Sequence, residues 1–195
     1  GPMPPLAAIE LLLPVMLALQ AAHEKGVIHR DVKPENILLV KTPNGLVPKV
    51  IDFGIARVLD EHGESLSKTV GAMPGTPLYM SPEHARGQKD LDGRTDVWSL
   101  GVVLYVLLTG RQPFFGDSVR QVVWKVLHES PPPLWDLAHH LPPCVCELVH
   151  TALEHEPARR YATMRDFHAA AERCVAELKK PPPAPVPSER PLARP

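Results

Sequence analysis

The run VWSLGVVLYVLL, Val97 to Leu108, is apolar on every face of a helix. It is too short to cross a bilayer, which takes about 20 apolar residues. A helix apolar all round belongs inside a core, with other elements covering it. The 195 residues make one domain of ordinary size, long enough to enclose such a helix. Lys and Arg total 21 against 22 Asp and Glu, so no general nucleic-acid surface and no polybasic membrane surface is expected. A second apolar run, LLLPVMLALQAA from Leu11, has the look of a signal-peptide core. No basic stretch precedes it, Glu10 abuts it, and cleavage there would discard the start of the domain. The expectation is therefore a soluble, cytoplasmic chain without a membrane segment. The three cysteines agree with a reducing compartment: Cys144 and Cys146 form a C-x-C with no matching ligand pair, and Cys174 stands alone on a helical pattern.

Around the buried helix the pattern is mainly helical. Residues 6–25 read as one long helix stopped by Gly26, with a kink or a break expected at Pro14. Thr95 is the expected N-cap of the core helix, Asp96 to Thr109. Ser118 to His128 reads as an amphipathic helix, PPPLW as a forced turn, and residues 144–154 and 163–178 as further helices. Two short β-type runs, 37–40 and 49–52, flank KTPNGLVP, where Asn44-Gly45 marks a hairpin. From Phe53 to Pro82 no period holds, and so long a loop inside a domain is usually functional. PPPAPVPSERPLARP at the end is a polyproline-like linker, leaving residues 1–180 as the domain and 181–195 as a tail.

One stretch has no structural excuse. HRDVKPEN, His29 to Asn36, sets three basic residues, two acids and an amide between two apolar runs. An acid, Asp31, and an amide, Asn36, with Lys33 between them suit the handling of a phosphate and its metal. Asp52-Phe53-Gly54 follows after a β-type run, then GTPLYMSPE (75–83) and DVWSLGVVLY (96–105). Each alone reads as a surface charge cluster or an ordinary turn. In this order they resemble the C-terminal lobe of a eukaryotic-like serine/threonine protein kinase, from about residue 4 to 178. Lys33 within D-x-K-P-E-N and Thr76 in G-T-x-x-Y match the serine/threonine rather than the tyrosine class. The wording GTPLYMSPE looks most like bacterial members.

The resemblance implies ATP-dependent phosphoryl transfer to a protein substrate with a Ser or Thr acceptor. Asp31 would be the base that takes the hydroxyl proton, and Lys33 would reach the γ-phosphate. Asn36 and Asp52 would hold Mg2+, and Leu38 would be the floor under the adenine of ATP. His29 and Phe53 would pack beneath the site, Asp96 would brace the catalytic loop, and Glu83 and Arg160 would form a buried salt bridge. Arg30, directly before Asp31, implies a switch by phosphorylation between Gly54 and Ser81, placed at Thr69. Thr76 is the hydroxyl that would bridge Asp31 and Lys33. No G-x-G-x-x-G occurs in the sequence, and no lysine or glutamate of an N-terminal lobe can be placed. The expected fold is thus mainly α, a kinase C-terminal lobe with a small β-hairpin at the cleft and the N-terminal lobe absent. That lobe would be its missing partner, and alone the chain is expected to be inactive. The alternative is a pseudokinase-like protein-binding module, which would predict degraded residues at Asp31, Asn36 or Asp52. They are intact.

Overall fold

The computed structural model of the protein describes residues 1–43, 45–53 and 77–180. Helix α1 runs Pro5–His23 and is followed, after the loop carrying Asp31, by a 3-10 turn at Pro34–Asn36. Strands β1 (Ile37–Thr42) and β2 (Gly45–Val50) pair antiparallel, from Ile37 opposite Val50 to Thr42 opposite Gly45. The rest is helical: α2 Pro82–Ala85, α3 Arg94–Thr109, α4 Val119–His128, α5 Leu134–Leu137, α6 Pro143–Ala152 and α7 Met164–Leu178, with a 3-10 turn at Pro157–Arg159 before α7.

The apolar run is indeed the centre of the core. Val97, Trp98, Leu100, Val102, Leu104 and Tyr105 of α3 are completely buried. Helix α3 packs on α6, α1, α7 and α5, while α1 packs chiefly on α7 and β2. Its left-handed stop at Gly110 (φ 68°) closes on the Val106 carbonyl, a conformation that suits glycine.

Helix α1 is long and apolar enough to span a bilayer by length and composition. Here Ala8, Ile9, Leu12, Val15, Met16 and Leu19 are buried in the core instead. No break occurs at Pro14. Pro14 and Glu10 both lie on the exposed face, so the carbonyl deprived of its partner faces solvent, and core packing on the opposite face keeps one continuous helix.

Several local expectations need correction. Thr95 does not cap α3: the helix begins at Arg94, and its first-turn amide N–H donates to the Asp92 carboxylate at 2.9 Å. The Thr95 hydroxyl is buried and lies 2.6 Å from the Ser81 hydroxyl, which itself caps α2. The hairpin strands are longer than the β-type runs at their turn ends, and β2 stops at Val50 because Asp52 adopts a left-handed backbone (φ 60°). Asn44 and the 181–195 tail lie outside the described residues. PPPLW is not only a turn: Leu134 opens α5 and is buried. Two helices that the pattern starts at Ser118 and Thr163 are capped by those residues. Ser118 accepts the Gln121 N–H, and Thr163 forms a reciprocal capping box with Asp166.

Helices α3 and α6 approach closely at Gly101. A Cβ there would sit 2.8 Å from the Ala152 Cβ and 3.2 Å from Leu153 Cδ2. Glycine to alanine inside a helix ordinarily gains about 1 kcal/mol in propensity. Here the clash falls on an atom fixed to the backbone, so Gly101→Ala should destabilise by roughly 1–3 kcal/mol. Urea unfolding reads the sign directly, and a stabilised variant would refute the close-packing account.

Candidate active site

The loop from His29 to Asn36 hangs from the core helix by one side chain. Asp96 of α3 is completely buried. Its Oδ2 accepts the His29 backbone N–H at 2.9 Å, and its Oδ1 accepts the Arg30 N–H at 2.8 Å. The His23 Nε2–H, from the end of α1, adds a third bond to Oδ2 at 2.7 Å. A buried carboxylate is tolerated when hydrogen bonds of this kind replace its hydration. Two backbone amides fixed at adjacent positions leave Arg30 in a left-handed conformation, φ 67°, unusual for a residue with a Cβ.

His29 is buried and bonded at both ring nitrogens. Its Nε2 lies 2.9 Å from the Ile51 carbonyl, and its Nδ1 accepts the Asp31 N–H at 3.3 Å. One neutral tautomer, protonated at Nε2, satisfies both contacts. The Phe53 ring packs on His29 with centroids 4.9 Å apart. The Ile51 N–H in turn donates to the Asn36 carbonyl at 3.0 Å. Ile51 is thus held by residues on both sides of Asp31, and this ties the segment bearing Asp52 to the loop.

At the end of this scaffold, Asp31, Lys33 and Asn36 come together. Lys33 Nζ lies 2.7 Å from Asp31 Oδ2. The Asn36 Nδ2 donates to the Asp31 carbonyl at 2.8 Å and to Oδ2 at 3.1 Å. Asn36 is buried, whereas the Asp31 side chain is half exposed. Asn36 therefore acts as a rigid bracket and Asp31 faces solvent. Asp52 is exposed. Leu38, on β1, is 48% exposed. Thr69 and Thr76 lie outside the described residues. Among the described residues no group of three or more His, Cys, Asp or Glu side chains is disposed to hold a metal.

Behind the site, Glu83 and Arg160 form the buried ion pair expected from the motifs. The two guanidinium ends reach the two carboxylate oxygens at 2.7 and 2.8 Å. Burial opposes the charge on Glu83, but the Arg160 hydrogen bonds and positive charge outweigh it and hold the carboxyl below its ordinary range. Other positioning residues escaped sequence reasoning. Ser99 Oγ donates to the Tyr79 carbonyl at 2.8 Å, and Gln112 Nε2 donates to the Tyr79 hydroxyl at 3.0 Å. His23 supports Asp96. A serine and a histidine on helical patterns, and a glutamine in the loop after α3, carry no local sign of such distant partners.

Comparison with known proteins defines the class of this arrangement. The family described as Protein kinase domain matches residues 2–171. The chain belongs to the protein kinase family. It is 44% identical over 169 residues to the serine/threonine-protein kinase PknB of Mycolicibacterium smegmatis, covering 87% of this chain and 26% of that protein. With PknB of Mycobacterium tuberculosis it shares 43% identity over 185 residues, 95% of this chain and 28% of that protein. Among solved structures it is similar to Rad53 1-466 in complex with AMP-PNP, with a TM-score of 0.67 and 26% identity over 86% of this chain and 40% of that one. The chain thus spans between a quarter and a third of the length of these curated relatives.

Proposed function

We propose that this chain is the C-terminal lobe of a serine/threonine protein kinase, acting on protein hydroxyls with ATP and Mg2+ once an N-terminal lobe completes the nucleotide site. The observation that carries the reading is the Asp31–Lys33–Asn36 cluster, held at 2.7–3.1 Å by side-chain contacts. Bound Mg-ATP would supply the transferable phosphoryl group and neutralise its charge. Asp31, exposed and oriented from behind by Asn36, takes the proton of the acceptor hydroxyl. Lys33, poised beside Asp31 Oδ2, places a positive charge where the phosphoryl oxygens gather. Because the Asn36 amide nitrogen turns towards Asp31, its amide oxygen is left for a cation, and the Asp52 carboxylate is a second hard oxygen donor. Magnesium is commonly held by one or two protein carboxylates together with substrate phosphates, so this donor set fits it. The exposed Leu38 suits an adenine floor. PknB and Rad53 support the reading: the first is named a serine/threonine kinase, and the second was solved with AMP-PNP.

The N-terminal lobe belongs to the same proposal. Leu38 and Val47 share one face of the hairpin and Leu39 and Leu46 the other, and all four are 37–62% exposed, apolar surface of the kind a second lobe covers in part. Phe53 does not add to it, since it packs against the core. The cytoplasm is the proposed site of action, on the ground of three free cysteines and an ATP substrate.

The test is ligand binding followed by turnover. Millimolar Mg-ATP should hardly move the melting temperature of this chain alone, because stabilisation by mass action requires affinity for the folded state. A form carrying a kinase N-terminal lobe should show the shift, and should phosphorylate a generic Ser/Thr substrate. In that form Asp52→Asn should weaken the magnesium-dependent part of binding. Binding without transfer in the completed protein would favour the pseudokinase-like module instead.

Regulation by phosphate at Thr69 is part of this reading, since a phosphothreonine brings up to two negative charges and three acceptor oxygens, which an arginine such as Arg30 can pair with. Mass spectrometry of active full-length protein should find it, and Thr69→Ala and Arg30→Ala should lower activity without additive loss. Full activity in Thr69→Ala would remove Thr69 from the account.

A further inference from the structure

Outside the catalytic cluster, α6 and α7 bring two thiols together. Cys144 lies in the first turn of α6 and Cys174 near the end of α7, and their sulfurs are 2.9 Å apart. Both are free thiols, Cys174 buried and Cys144 partly exposed. We infer that Cys144 and Cys174 form a reversible disulfide on exposure to a peroxide, an oxidation site that clamps α6 to α7.

Three features carry this. A disulfide bond is about 2.05 Å long, so closure asks for a displacement of less than about 1 Å. The accessibilities are divided as a two-step oxidation requires, with one thiol that an oxidant reaches and one protected thiol to resolve it. The third cysteine is excluded by helix geometry: Cys146 sits two positions from Cys144, on the far side of α6. The partly exposed sulfur is the first nucleophile: Cys174 is buried away from the oxidant, and burial and then the Cys144 hydrogen bond also hold its thiol above its ordinary range.

The reaction balances with hydrogen peroxide as the oxidant. The Cys144 thiolate attacks one peroxide oxygen, the O–O bond breaks, and hydroxide leaves to be protonated to water. Cys144 is then a sulfenic acid. Cys174 attacks its sulfur, the S–O bond breaks, and the Cys174 proton leaves with that oxygen as a second water. Two thiols lose two electrons and the peroxide gains them. A dithiol reductant reverses the bond by exchange.

The experiment is peroxide titration of the chain, read by intact mass, thiol counting in denaturant and peptide mapping without reduction. The expected product is monomeric, lighter by about 2 Da, with thiols falling from three to one and a Cys144–Cys174 linked peptide. Closing a loop of this size should raise the melting temperature by about 5–10 °C, and dithiothreitol should return it. Cys146→Ser should keep the link. Cys144→Ser should abolish it, and if that variant does not fold, the wild-type and Cys146→Ser maps decide. The inference fails if Cys144 goes to sulfinic acid while Cys174 stays free, or if the link involves Cys146. It fails equally if all three thiols survive a dose that oxidises a free-cysteine peptide.

Discussion

Asp31→Asn, in a form of the protein completed by a kinase N-terminal lobe, is expected to lose about 10²–10⁴-fold in kcat with nucleotide affinity near normal. Asparagine keeps the shape and one acceptor oxygen, so the Asn36 bond to the Asp31 main-chain carbonyl and the Asp96 bonds to the loop backbone survive. On the proposed reading, what disappears is the ability to take the hydroxyl proton, together with the charge that faces Lys33 at 2.7 Å. Steady-state kinetics with a Ser/Thr peptide, alongside nucleotide binding by calorimetry, separates the two effects. Equal losses of turnover and nucleotide affinity would show that Asp31 organises the nucleotide site rather than acting on the acceptor.

The second large effect is on stability. Glu83→Ala leaves the Arg160 guanidinium with its side chain wholly buried, still donating to the carbonyls of Glu154, Arg94 and His155 and still over the Trp98 ring at 4.9 Å. Its charge then has no ion-pair partner among the described residues. Breaking a buried pair in this way destabilises by about 3–5 kcal/mol, a large part of the 5–15 kcal/mol typical of a domain. Chemical denaturation should register it. Replacing both partners by apolar residues of similar volume should be milder, since no lone charge remains. The same pair sets a pH dependence. The Glu83 carboxyl is depressed from its ordinary 4.5, so its contribution is fully present above that pH and is lost as pH falls through the lower folded value. Glu83→Gln should flatten that part of the acid limb of a melting-temperature profile.

What the chain reveals locally, and what it hides, divides along one physical line. Helix α3 was legible because burial on every face is written in consecutive residues. The starts of α4 and α7 were legible because Ser118 and Thr163 cap within three positions of themselves. Asp31, Lys33 and Asn36, which the fold brings together, stand within one short stretch, HRDVKPEN. Thr95 misled because a hydroxyl before an apolar run looks the same whether it caps a helix or meets Ser81, fourteen residues away in sequence. Pro14 left a kink or a break open because the outcome depends on which face meets solvent, and the packed helix decides against the break. The Asp96 contacts span 66 and 67 residues, and the cysteine pair spans 30. No periodicity encodes partners at such separations; they follow from how the helices dock.

The Asp96 tether also bears on motion. Loops ordinarily open at little free-energy cost, and their amide hydrogens exchange quickly with solvent. The His29 and Arg30 amides are instead bonded to a carboxylate rooted in the most deeply buried helix. Releasing them leaves the buried Asp96 carboxylate with the His23 bond alone, so these two protons are expected to exchange on the clock of global opening rather than of loop fluctuation. On the proposed reading, the loop that carries Asp31 would then be held still by coupling its fluctuation to the cooperative unfolding of the whole domain, which native-state hydrogen exchange would test.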